Sequence, residues 1–228
     1  MNTIKDAGDR SRALVDIADE YAKAGDFDQA LKTAEAIDDP DDRFRSQALL
    51  NIAGRYIEIK EADKASRLLS QALEKAKEMK DAAKKSSTYA GIAQMHGKLG
   101  QIDQASKLLS QALEIAMTIE DMDDKCWELV TIAGMYTEVG QKEQSSHVLS
   151  QAQITIAKEE PFVRDFDLEM IATAYAEAGY FIKAIEINRM MEDDEPKSWA
   201  LNDIACKIAK LSEKDKDILQ DITHAMKP

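Results

Sequence analysis

Proline and glycine are scarce in this 228-residue chain, at four and nine, and aromatic residues make up only 6%. So few chain-turning residues argue against a many-turned β-sandwich or barrel. Two cysteines, Cys126 and Cys206, are too few for a disulfide framework and point to a reducing, cytoplasmic setting. No apolar run approaches the ~20 residues of a membrane span. The stretch Met1 to Arg10 lacks the apolar core of a secretory signal. Basic residues are outnumbered: thirty Lys and Arg against forty-three Asp and Glu give a formal charge of −13. That average field repels polyanions, so neither nucleic acid nor an anionic membrane surface is an expected partner.

What the chain does have is self-similarity. An Ile-Ala pair recurs at Ile17, Ile52, Ile92, Ile132, Ile171 and Ile204, at intervals of 35, 40, 40, 39 and 33 residues. Four residues after each Ile stands Tyr21, Tyr56, Tyr136 or Tyr175, replaced by His96 and Ile208 in the third and sixth units. Eight residues after it stands Gly25, Gly100, Gly140 or Gly179, replaced by Lys60 and Ser212 in the second and sixth. Beyond the glycine, Ala65 to Leu73 (ASRLLSQAL) matches Ala105 to Leu113 (ASKLLSQAL), with a weaker copy from Ser145 to Ala152.

Each unit reads as two helices. Leu129, Ile132, Ala133 and Tyr136 follow the spacing of one helical face, Gly140 permits a tight turn, and Leu149, Ala152 and Ile156 stripe a second helix. Ala18, Ala53, Ala93, Ala133, Ala172 and Ala205 stand where the two helices cross and let their axes approach to about 8–10 Å. One such hairpin cannot bury its stripe, whereas stacked neighbours can. At the chain's end Ile218, Leu219, Ile222 and Met226 form an apolar face opposite a charged one, the pattern of a capping helix over 213–226.

Leu14, Ile17, Ala18, Tyr21, Gly25, Ala30, Ala34 and Ile37 resemble the tetratricopeptide repeat pattern, and four later units match it nearly as well. The resemblance covers roughly residues 10 to 192, with a degenerate sixth unit. The middle units exceed the family's usual period and run to 40 residues. Extra residues are expected in the second helix and the following first helix, as in kinesin-light-chain-like arrays. The resemblance implies an all-α fold, a right-handed solenoid of helix-turn-helix repeats with first helices lining its concave face. It further implies a single domain over 1–228, with repeats near 10–38, 41–80, 82–120, 122–158, 162–192 and 196–211.

Motifs that carry chemistry do not form. Asp121 to Asp124 begins like a calcium loop, but Lys125 takes the third ligand place and Ile132 the place of the bidentate Glu. Asp38 to Asp42 fails in the same way at Arg43. Three histidines and two cysteines stand singly, without the spacing of a zinc site. The sequence contains no GxSxG, no GxxxxGK[ST] and no GxGxxG. No catalysis, metal or cofactor is therefore expected. The acidic clusters lie between a second helix and the next first helix, where Asp caps a helix and offsets its positive end.

The expected business of the chain is holding another protein or peptide. Around each Ile-Ala pair, Val15, Leu50, Ala90 and Val130 form an apolar strip beside Gly54, Gly97 and Gly134, which allow close approach. The family's chaperone-binding members hold a carboxylate with Lys and Asn at the flanking places, and those residues are absent here. Five residues before each Ile, the first three units carry Arg12, Gln47 and Ser87, the last three Trp127, Phe166 and Trp199. Three aromatics in phase form a candidate anchor strip. The function expected is an interaction scaffold for a peptide, helix or domain surface. The alternatives are a homodimer closed on its own apolar strip, and an enzyme with a site assembled across repeats.

Overall fold

A computed structural model describes residues 7–38, 42–158 and 161–211. Every regular element among them is helical, and they group into two compact units, Met1–Thr118 and Ile119–Pro228. The first unit holds α1 (Ala7–Lys23), α2 (Phe27–Glu35), α3 (Arg43–Glu58), α4 (Ala62–Glu78), α5 (Ala82–Lys98) and α6 (Ile102–Ala116). The second holds α7 (Met122–Glu138), α8 (Lys142–Thr155), a short 3-10 turn at Ile156–Lys158, α9 (Pro161–Glu177), α10 (Phe181–Arg189) and α11 (Asp194–Ile208). Consecutive helices pair as hairpins, and the first helices pack on one another in the order α1, α3, α5 and, in the second unit, α7, α9, α11. The 213–226 segment lies outside the described residues.

The repeat positions explain the hairpins. Ile52, Ile92, Ile132 and Ile171, with the alanine after each, are fully buried. Gly25, Gly100, Gly140 and Gly179 all have φ between 74° and 89°, the left-handed region that glycine enters without a Cβ clash. Each closes its first helix with the same pair of bonds. The Gly140 amide donates to the Thr137 carbonyl and the Gln141 amide to the Tyr136 carbonyl, a Schellman end. In the second unit of the repeat Lys60 takes this conformation at φ 62°, with its own amide on Ile57 and the Glu61 amide on Tyr56.

Stacking fixes the tyrosines. The Tyr56 ring stacks on Phe27 of the preceding hairpin with centroids 4.0 Å apart, and the Tyr175 hydroxyl meets Ser150 Oγ of α8 at 2.9 Å. Tyr21 and Ile17 have the same sequence places but stand exposed, since among the described helices α1 packs on α2 and α3. Ala205 is likewise exposed, and the residues after Leu211 lie outside the described set.

Two expectations need correction. The first helices hold a constant 15 to 17 residues, and the longer repeats place their extra length in the second helices alone. Thus α4, α6 and α8 have 17, 15 and 14 residues against 9 in α2 and α10. Nor do all the methionines serve packing, as their places mostly within the apolar stripes suggest: Met79 and Met191 are buried, while Met117, Met122 and Met190 are exposed.

Candidate functional site

The repeat place five residues before each Ile is on the surface in every unit. Arg12, Gln47 and Ser87 are exposed, and so are Trp127 (59%), Phe166 (37%) and Trp199 (49%). The fold therefore directs this place toward water whether the residue is polar or aromatic. In the second unit it carries large rings on three first helices, α7, α9 and α11, which pack in that order. The Phe166 and Trp199 rings lie 6.2 Å apart at a 48° tilt, a pair bridging α9 and α11.

The chain directly after these rings turns inward. Glu128 and Asp167 follow Trp127 and Phe166 and are buried at the place held by Ala48 and Thr88 in earlier repeats. One residue on the other side, Ser11, Ser86 and Asp165 each brace a hairpin. Ser11 Oγ donates to the Asp38 carbonyl and Ser86 Oγ to the Ala112 carbonyl. Asp165, with 1% exposure, accepts the Glu192 and Asp193 amides, both at 2.7 Å. Cys126 occupies this same buried place on α7. A serine recurs six residues before the Ile at Ser11, Ser46 and Ser86, so a closer comparison of repeats could have found this place, although the buried Ser46 hydroxyl makes no such bond.

The apolar strip expected beside the Ile-Ala pairs resolves differently. Val15, Leu50 and Ala90 are buried, and Leu50 fills the space beside Gly91, where an added Cβ would lie 3.1 Å from its Cδ1. Gly54 faces Met95 Sδ at 3.8 Å. These residues join neighbouring first helices rather than lining a surface, because each first helix is covered on both flanks inside a stack. Val130 is half-buried, and the space above Gly134 is open. Of the eight candidates, only Trp127, Phe166, Trp199, Val130 and Gly134 thus stand together on accessible surface of one unit.

The same place as Val15 and Leu50 holds Glu169 on α9, half-buried. Burial pushes its pKa above the usual carboxylate range, and the charge of Asp203 on α11 pushes it further, against a smaller pull from the Thr173 hydroxyl. Farther along, Glu177 pairs with Lys207 of α11 at 2.9 Å. Arg164 pairs with Glu192 at 3.0 Å, and Lys197 Nζ donates to the Met191 carbonyl.

The acidic residues between repeats act at helix ends. Asp81, Asp121 and Asp193 each accept an amide from the first turn of the helix that follows, and Asp26 does the same within the first hairpin. The amide of Lys84 is the chief cause of a lowered pKa at Asp81, outweighing burial. Asp42 departs from this, with a left-handed backbone and its carboxylate on Arg45 and Lys75. Among the described residues no three His, Cys, Asp or Glu side chains are placed to hold a metal.

A groove of about 710 Å³ in the first unit is lined by Ser66, Ser70, His96 and Asp103 among others. Its Ser70 hydroxyl donates to the Ser66 carbonyl and the His96 ring meets Gln101, so Ser70 and His96 do not form a nucleophile–base pair. No described helix is long and apolar enough to cross a membrane.

Hairpins of this form, closed by a left-handed residue and stacked through their first helices, define a TPR-like helical-repeat solenoid. No protein-family model matches the sequence, and no curated protein matches it. Solved structures do share the fold. Ton1535 of Thermococcus onnurineus NA1 superposes with a TM-score of 0.65 at 18% identity over 92% of this chain, which spans 57% of that protein. The nearly identical TPR-like repeats of a Podosopora anserina kinesin light chain give 0.52 at 18% identity, covering 92% of this chain and all of theirs. A Rap protein complexed with Competence and Sporulation Factor gives 0.51 at 16% identity over 97% of this chain and 65% of its own.

Proposed function

We propose that the chain is a protein-interaction scaffold whose partner docks on the first-helix surface of the second unit, with Trp127, Phe166 and Trp199 as anchors. The observation that carries this reading is the repeat place itself. It faces water in all six units, yet three successive helices fill it with large rings that the core does not use. Exposed aromatic clusters of this kind mark binding surfaces, and aromatic anchors dominate the energetics of interfaces. The Rap protein, similar in fold, is a structure with a bound factor, which agrees with a binding role. Two cysteines outside any disulfide, Cys126 buried and Cys206 exposed, fit a reducing compartment such as the cytoplasm.

Closure of a homodimer on Val15, Leu50 and Ala90 is disfavoured, since those side chains are already buried within their own unit. The test is a partner captured by crosslinking to the intact protein and then titrated by calorimetry. Trp127→Ala and Trp199→Ala are each expected to weaken binding by about 2 kcal/mol or more while the melt barely moves. A loss of about 3–5 kcal/mol of stability instead would place the rings in the core and end the proposal.

A further inference from the structure

We propose that the Phe166–Trp199 pair, together with Glu169 and Asp203, forms a receptor for an arginine side chain carried on an amphipathic helix of the partner. This rests on the docking surface proposed above and specifies the chemistry of what it takes. Glu169 lies three residues after Phe166 on α9, and Asp203 four residues after Trp199 on α11. On a helix those spacings put each carboxylate on the same face as its ring, one turn away. The two helices pack together and their rings lie 6.2 Å apart, so both acids flank one exposed aromatic pair.

Glu169 is out of keeping with the repeat, whereas Asp203 stands at the place that holds Asp16 in the first unit. Glu169 takes the place of Val15, Leu50, Ala90 and Val130, where a carboxylate costs solvation and gains nothing for the stack. Its raised pKa reflects that burial and the charge of Asp203. Nor do these helices supply a countercharge. The three basic residues of α9 and α11 are engaged elsewhere: Arg164 with Glu192, Lys197 with the Met191 carbonyl, and Lys207 with Glu177. Two carboxylates with no ion pair among the described residues, beside a tilted pair of rings, match a guanidinium, which lies flat on aromatic rings and donates in a plane to carboxylates. The chain's charge of −13 favours approach of such a partner. A helix offers side chains one turn, about 5.4 Å, apart, close to the 6.2 Å between the Phe166 and Trp199 rings.

The probes are amphipathic helical peptides of roughly four turns. Each carries one arginine within its apolar face, stepped through every register, and each has a partner with citrulline in that place. Binding to the intact protein is followed by the indole N–H resonances of its two tryptophans, Trp127 and Trp199. The best arginine peptide is expected to bind about tenfold or more tighter than its citrulline twin at low salt, with the Trp199 signal moving. The Glu169→Gln, Asp203→Asn double variant should erase that difference, and Trp199→Ala should weaken both peptides. If arginine and citrulline peptides bind alike, or the preference survives the double variant, the arginine receptor is wrong. Sensitivity to Trp199→Ala in that case leaves the docking surface standing. If no peptide binds, both fail together.

Discussion

Lys60 holds a conformation that four of its repeat counterparts give to glycine, with φ at 62°. A side chain in that region costs about 1–2 kcal/mol, so Lys60→Gly should stabilise the protein by roughly 1 kcal/mol. A denaturant midpoint that stays put would contradict this. Glu169 offers a test with a sign in it. A glutamate titrates near ~4.3 in an unfolded chain, and burial together with Asp203 raises the folded value above that. Between those two values the folded protein binds more protons, so stability falls as pH rises through the window. Glu169→Gln should therefore be more stable than the parent at pH 7 and equal to it below about pH 4. Because the side chain is half exposed, the gain should stay under about 1 kcal/mol. Paired denaturation curves at the two pH values decide it, and a destabilised variant at pH 7 would reverse the assignment.

At the scale of the helix, the alanine after each Ile governs how closely a hairpin closes. Ala133 has no exposed surface where α7 meets α8. Ala133→Leu should cost about 1–3 kcal/mol by overpacking, read as a lower denaturant midpoint at constant m-value. The sequence discloses the hairpins well because their determinants are local. The Ile-Ala pairs, the left-handed glycines and the solvent-facing aromatic place all recur in phase. What it hides depends on the neighbour in the stack. Val15 and Leu50 look like surface when one helix is considered alone, and they are buried because the next first helix covers them. Glu169 and Asp203 are 34 residues apart in the chain and influence each other only after α9 and α11 pack. Asp165 looks like one more surface acid until the amides of Glu192 and Asp193 fold onto it.

Among the described residues each helix packs on its near neighbours in sequence, so stability accumulates hairpin by hairpin. The twin second helices α4 and α6 make that divisible. They bury Ala65, Leu68, Leu69, Ala72 and Ala76 in one case and Ala105, Leu108, Leu109, Ala112 and Ala116 in the other. Excising residues 65–104 joins the start of one to the remainder of the other in the same register, removing 40 residues. The shortened chain should still melt cooperatively, with an unfolding enthalpy lower by roughly 30 kcal/mol near 60 °C. A calorimetric trace without a transition would refute additivity. Residues 65–73 and 105–113 differ at a single position, and where such likeness extends to the coding sequence, misaligned duplicates are where homologous exchange occurs. One unequal crossover there would delete or duplicate a whole hairpin without creating an unfamiliar junction, so the length of this array is a trait that inheritance can edit in a single step.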